Sequence, residues 1–127
     1  PDIEIIKQKI LEILNETKYY LKKKKQFEIS QIKKCISKFY DNYSEILKID
    51  KIYLFGSYAK KKNDEYSDID LLVFYKGNKI DVSLNNLVIK TVLFSEYEMS
   101  VDTVPIVEEN GMDSFDKKVM SYAIRLI

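Results

Sequence analysis

Apolar residues recur at intervals of three and four from Ile3 onward, as Ile3, Ile6, Ile10, Ile13 and, past a polar Thr17, Tyr20. That spacing lines one face of a helix and predicts one from about Asp2 to Lys23. A second stripe, Ile29, Ile32, Ile36, Phe39, Tyr43 and Ile46, predicts another helix, interrupted near Asp41 and Asn42. The lysine run and Gln26 mark the bend between them. Each stripe is too short for a coiled coil, so it is expected to pack on the domain's own sheet or to form a helical dimer face.

The pattern then changes. Ile52 to Phe55 is a short apolar run closed by Gly56, and Ile69 to Tyr75 a longer one closed by Lys76, Gly77 and Asn78. Both lengths suit strands, and the KGNK turn suits a hairpin or sharp exit. Ser83 can cap a helix whose face would carry Leu84, Leu87, Val88, Thr91 and Val92, although the β-branched residues there would also suit a strand. The stretch EMSVDTVPIV predicts a third strand, with Pro105 pointing to its end or to a sheet edge. Asp113 or Ser114 can cap a last helix with Phe115, Val119, Tyr122, Ala123 and Leu126 on its apolar face.

Composition narrows the chemistry. The 127 residues fit one domain, and 46% hydrophobic with 32% charged content describes a globular chain. A net charge of +1 gives no overall field for nucleic acid, so nucleic acid is not an expected partner. Of the basic clusters, Lys22–Lys25 is read as a solvated surface, whereas Lys60–Lys62 sits close to candidate chemistry. A single cysteine, Cys35, excludes an intrachain disulfide and is expected in the core. With no apolar run long enough to span a bilayer and no signal-peptide pattern, a cytoplasmic protein is expected. There is no histidine. A Ser-His-Asp triad, a Cys-His pair and a His-based zinc site are therefore excluded, leaving carboxylates, hydroxyls, lysines or a bound metal.

Asp68 and Asp70 flank Ile69 at the start of the second strand. Alternation sends both carboxylates to one side, where they repel unless a cation sits between them. Mg²⁺ suits such hard oxygen donors and accepts substrate phosphates as further ligands. Asp70 also precedes Leu71, Leu72 and Val73, so its charge stands at the entry to a core, and the nearby sequence offers no basic partner. Directly after the first strand, Gly56 lets backbone amides approach an anion and Ser57 brings a hydroxyl donor to a phosphate. Asp102, inside the third strand, could complete a metal site and take the proton from an attacking hydroxyl if its strand lies beside the Asp68–Asp70 strand.

The stretch GSYAKKKNDEYSDIDLLV, with VDTV downstream, resembles the nucleotidyltransferase superfamily that includes DNA polymerase β, and most of all its minimal single-domain MNT members. The pattern is Gly56 and Ser57, ten residues (58–67), then Asp68 and Asp70, with Asp102 matching the family's third carboxylate. The resemblance implies an α/β (α+β) fold, a small mixed β-sheet flanked by helices. It implies a core over 46–127; the helical residues 1–45 are more than the minimal pattern needs and are expected as an extension packed on the same domain, or serving a dimer or partner.

It also implies transfer of AMP from ATP to a hydroxyl with Mg²⁺. Gly56, Ser57 and Lys60 would then bind nucleotide, and Asp68, Asp70 and Asp102 would be catalytic and metal-binding. Many minimal members resemble antitoxins that adenylylate a partner HEPN toxin. Lacking histidine, this chain would be the MNT half of such a pair. The alternatives are a non-catalytic antitoxin or binding module on the same fold, and transfer to a small hydroxylated molecule. Lys60 and Lys61 stand where the family often has Arg and Gly. Lys60 keeps a cation, while Lys61 gives up glycine's backbone freedom.

Overall fold

The computed structural model describes residues 2–20, 23–107 and 112–127, with the backbone alone for 14–20. In chain order the elements are α1 (Ile3–Tyr20), α2 (Ile29–Leu47), β1 (Ile49–Phe55), α3 (Gly56–Ala59), β2 (Ile69–Tyr75), α4 (Val82–Tyr97), β3 (Val101–Val107), α5 (Ser114–Met120) and β4 (Ile124–Arg125). The strands form one sheet in the order β3-β2-β1-β4. β1 runs antiparallel to β2 and β4, whereas β2 and β3 are parallel. A parallel pair needs a long crossover, and α4 provides it. The mixed sheet with flanking helices is the fold class expected from the sequence.

Strand alternation divides the interior into two layers. On one face Ile52, Leu54, Leu71 and Val73 pack with Ile32, Ile36 and Phe39 of α2 and with Ile89 and Leu93 of α4. On the other, Phe55 and Leu72 meet Ile106 and Val119 of α5. That second face belongs to the same strand positions as Asp70 and Asp102. It is the one the chemistry uses.

Several elements differ from the sequence reading. Helix α2 is continuous through Asp41 and Asn42, and its buried end is Leu47, while Ile46 is exposed. Its last turn closes on Lys48 in the left-handed region (φ 58°), the place usually given to glycine. β1 begins at Ile49, earlier than Ile52. Asp81, not Ser83, caps α4 by accepting from the Leu84 N–H at 3.1 Å. The buried face of α4 is Asn85, Ile89 and Leu93, and Leu84 and Leu87 face solvent. Asn85 earns its burial by donating from Nδ2 to the Leu47 carbonyl at 3.0 Å, which ties α4 to the end of α2. Asp113 caps α5 as expected, but that helix ends at Met120, and Ile124–Arg125 pair with β1 as a short strand.

The α1 stripe does not take the sheet as its surface. Ile3, Ile6, Ile10 and Ile13 are all exposed. The helix's predicted last turn over residues 21 and 22, and the Tyr20 side chain, lie outside the described residues, as does Lys22 of the lysine run. Lys23 already belongs to the extended connection into α2. Cys35 is half-buried against the core, and burial raises its thiol above the usual range.

Candidate active site

The site forms where β1 ends and where β2 and β3 begin. Antiparallel pairing sets Phe55 opposite Asp70, so the chain turns into Gly56 beside that carboxylate. Gly56 has φ +70°, and a Cβ built there would overlap the Asp70 carboxylate. Glycine is thus required twice over, by backbone conformation and by the closeness of the acid. On the other side of β2, parallel register sets Asp70 directly beside Asp102. Asp102 must lie next to Asp70 for the sequence reading to hold, and it does.

Asp68 sits just before β2, and its charge and that of Asp102 both bear on Asp70. Burial first, then the charges of Asp102 and Asp68, push the Asp70 carboxyl up to about 6. Among the described residues nothing donates a hydrogen bond to it or pairs with it. The other two acids each have a lysine. The Asp68 oxygen Oδ1 accepts from Lys24 Nζ at 2.6 Å and from Ser100 Oγ at 2.7 Å. Burial pushes Asp68 up, but Lys24 and Ser100 outweigh it and hold the group below the ordinary carboxylate range. Asp102 Oδ1 accepts from Lys90 Nζ of α4 at 3.3 Å, on a more exposed pair.

Gly56, Ser57 and Lys60 fall in and just after the single turn of α3. The Gly56 N–H donates to the Tyr122 hydroxyl at 3.3 Å, and Lys60 Nζ rests 4.5 Å from the centre of the Tyr122 ring. One tyrosine therefore meets both the amide and the cation that the sequence assigns to phosphate. Lys61 has φ +56°, the left-handed conformation that a glycine would adopt without strain. A cavity of about 610 Å³ lies beside the same turn, lined in part by Gln26, Phe27, Tyr58, Lys61 and Asn63, but none of the three acids borders it.

Four residues of this arrangement went unread in the sequence. The apolar spacing puts Tyr122 on the face of a longer helix, and ending α5 at Met120 frees it to reach Gly56. The lysine run makes Lys24 look solvated, whereas its side chain is only 26% exposed. Ser100 and Lys90 carried no local signal, because only the β2–β3 pairing and the α4 crossover bring them to the acids.

A glycine-serine turn facing strand carboxylates on a small mixed sheet defines a nucleotide-transfer type of site. The comparisons agree with that class. The nucleotidyltransferase domain family matches residues 29–126, and the chain belongs to this family. A proposed protein adenylyltransferase of Methanocaldococcus jannaschii is 34% identical over 77 residues, which cover 60% of this chain and 76% of that protein. A chain in a crystal structure of a toxin–antitoxin with AMP-PNP superposes with a TM-score of 0.59 at 25% identity, covering 75% of this chain and 72% of that one. A chain in the complex of a tri-AMPylated Shewanella oneidensis HEPN toxin with its MNT antitoxin gives a TM-score of 0.52 at 24% identity, covering 75% and 68%. No helix among the described residues is long and apolar enough to cross a membrane.

Proposed function

We propose that this nucleotidyltransferase moves AMP from ATP to a hydroxyl on a partner protein, and that the partner is a HEPN-type toxin which the transfer silences. The observation that carries the reading is the position of Asp70, in register with Asp102 on one strand and set against Gly56 of the phosphate turn on the other. The adenylyltransferase relative and the toxin–antitoxin structures favour ATP and a protein acceptor.

Among the described residues no three metal-ligating side chains already form a metal cluster. The donor set nevertheless suits Mg²⁺, with hard carboxylate oxygens on one sheet face and a half-buried Asp70 that has no cation of its own. Asp68, Asp70 and Asp102 would hold the ion. When bound, it would orient the triphosphate and neutralise charge as pyrophosphate leaves.

The chain's own groups do the rest. The Gly56 amide and the Ser57 hydroxyl receive phosphate oxygens, the amide exchanging its Tyr122 partner for the nucleotide. Lys60, a short reach away on the Tyr122 ring, adds a positive charge to the same phosphates. Asp102 is the more exposed acid of the Lys-paired two, and it accepts the proton of the incoming hydroxyl.

The test is transfer of label from α-labelled ATP to a purified HEPN-type protein, with and without Mg²⁺. Asp70→Asn should cut incorporation by about a hundredfold or more, as the loss of a charge that acts on the transition state does. Incorporation that survives this change would defeat the assignment. If Asp68→Asn with Asp70→Asn leaves the toxin neutralised, the protein works by covering its partner and not by modifying it.

A further inference from the structure

The segment between α1 and α2 is fastened to the loop that leads into β2. The Lys24 N–H donates to the Glu65 carbonyl at 2.7 Å, and its ammonium donates to the Tyr66 carbonyl at 3.1 Å and to Asp68 at 2.6 Å. Lys23 pairs with Glu65 at 3.3 Å, and Asn63 donates to the Gln26 side chain at 3.2 Å. These contacts join residues about forty positions apart in sequence, and all fall on 63–68, the return from the phosphate turn to the acids. The result is a lysine held on Oδ1 of Asp68 by its own backbone.

Oδ1 of Asp68 already accepts from both Lys24 and Ser100, and a fixed positive charge beside a metal site lowers its affinity for cations. We propose that Lys24 is a displaceable internal counter-ion: a divalent metal that binds Asp68, Asp70 and Asp102 competes with it for Asp68. The segment 23–26 therefore sets the metal affinity of the site. This inference rests on the metal reading given under Proposed function. Lys90 makes a looser version of the same contact with Asp102, longer and more exposed, and so serves as an internal comparison.

The test is direct titration of Mn²⁺, followed by electron paramagnetic resonance, into the full chain and its Lys24→Gln, Lys90→Gln and Asp70→Asn variants. Lys24→Gln should bind Mn²⁺ about fivefold more tightly than the unaltered chain, as expected for removal of a competing ion pair near the upper end of measured strengths. Lys90→Gln should gain less, and Asp70→Asn should lose the binding. A second measurement needs no variant: saturating Mg²⁺ should raise the labelling of Lys24 by an amine-reactive reagent, read by peptide mass spectrometry.

An unchanged or weaker Mn²⁺ affinity in folded Lys24→Gln, or Lys24 labelling that ignores Mg²⁺, overturns the counter-ion role. If Asp70-dependent Mn²⁺ binding persists in those experiments, only that role is lost. If neither the unaltered chain nor Lys24→Gln binds Mn²⁺, the metal reading falls with it.

Discussion

Asp70 costs the protein stability whenever it is ionised. Its folded pKa of about 6 lies above the ordinary value of 3.8, so its protonated form is favoured by folding. The contribution is fully present below pH 3.8 and is lost as the pH rises through 6. Two units would correspond to nearly 3 kcal/mol. The group is only partly buried, and screening by solvent reduces this to about 1 kcal/mol. Metal-free protein should therefore become more stable on going from pH 7 to pH 5. Asp70→Asn should raise the pH 7 melting temperature and remove most of that pH dependence, while abolishing transfer. Asp68 has the opposite sign, its pKa being lowered, so its contribution is present above the ordinary carboxylate range and disappears in stronger acid. Thermal denaturation at pH 4, 5, 6 and 7 would separate the two. A melting curve for Asp70→Asn that follows the unaltered protein at every pH would contradict this account.

At the level of elements, the turn around α3 is where composition and geometry meet. The chain has only three glycines, and among the described residues three others, Lys48, Lys61 and Glu98, adopt left-handed backbone angles. At Lys61 the strain is about 1 kcal/mol. Replacement by glycine relieves it but frees the unfolded chain by a similar 0.4 to 1 kcal/mol. Lys61→Gly should consequently change the unfolding free energy by only about 0.5 kcal/mol, measured by urea denaturation. A loss of about 2 kcal/mol would show that the Lys61 side chain supports the turn.

The same scale shows what a reader of the sequence can and cannot see. β2 was legible to the residue, since its apolar run is bounded by acids on one side and by Lys76 and Gly77 on the other. Two-residue β4 is too short to display alternation. Helix α4 is apolar on both faces, so Leu84 and Leu87 looked as inward as Ile89 and Leu93. The Gly56, Asp68, Asp70 and Asp102 set was legible because spacing and strand context carried it. Lys24, Lys90, Ser100 and Tyr122 were not, because each reaches the acids or the turn only through tertiary packing.

For the whole molecule, the α1 stripe stands apart from a core built by α2, α4, α5 and the sheet. Ile6 and Ile10 are about half exposed, so a charge in place of either should cost the isolated chain little. Ile6→Glu with Ile10→Glu should leave the unfolding free energy within about 0.5 kcal/mol for each change, the range for surface substitutions. A loss of several kcal/mol by chemical denaturation would mean that α1 is buried in solution.

The sheet order has one more consequence. β3 is an edge strand, and it carries Asp102. In the role proposed for it, an acid at a rim, not at the bottom of a cleft, can meet a hydroxyl that is fixed on a bulky, already folded surface. Pro105 on the same strand offers no N–H to a visiting backbone. A protein acceptor can thus come alongside, present one side chain and depart without being stitched into the sheet.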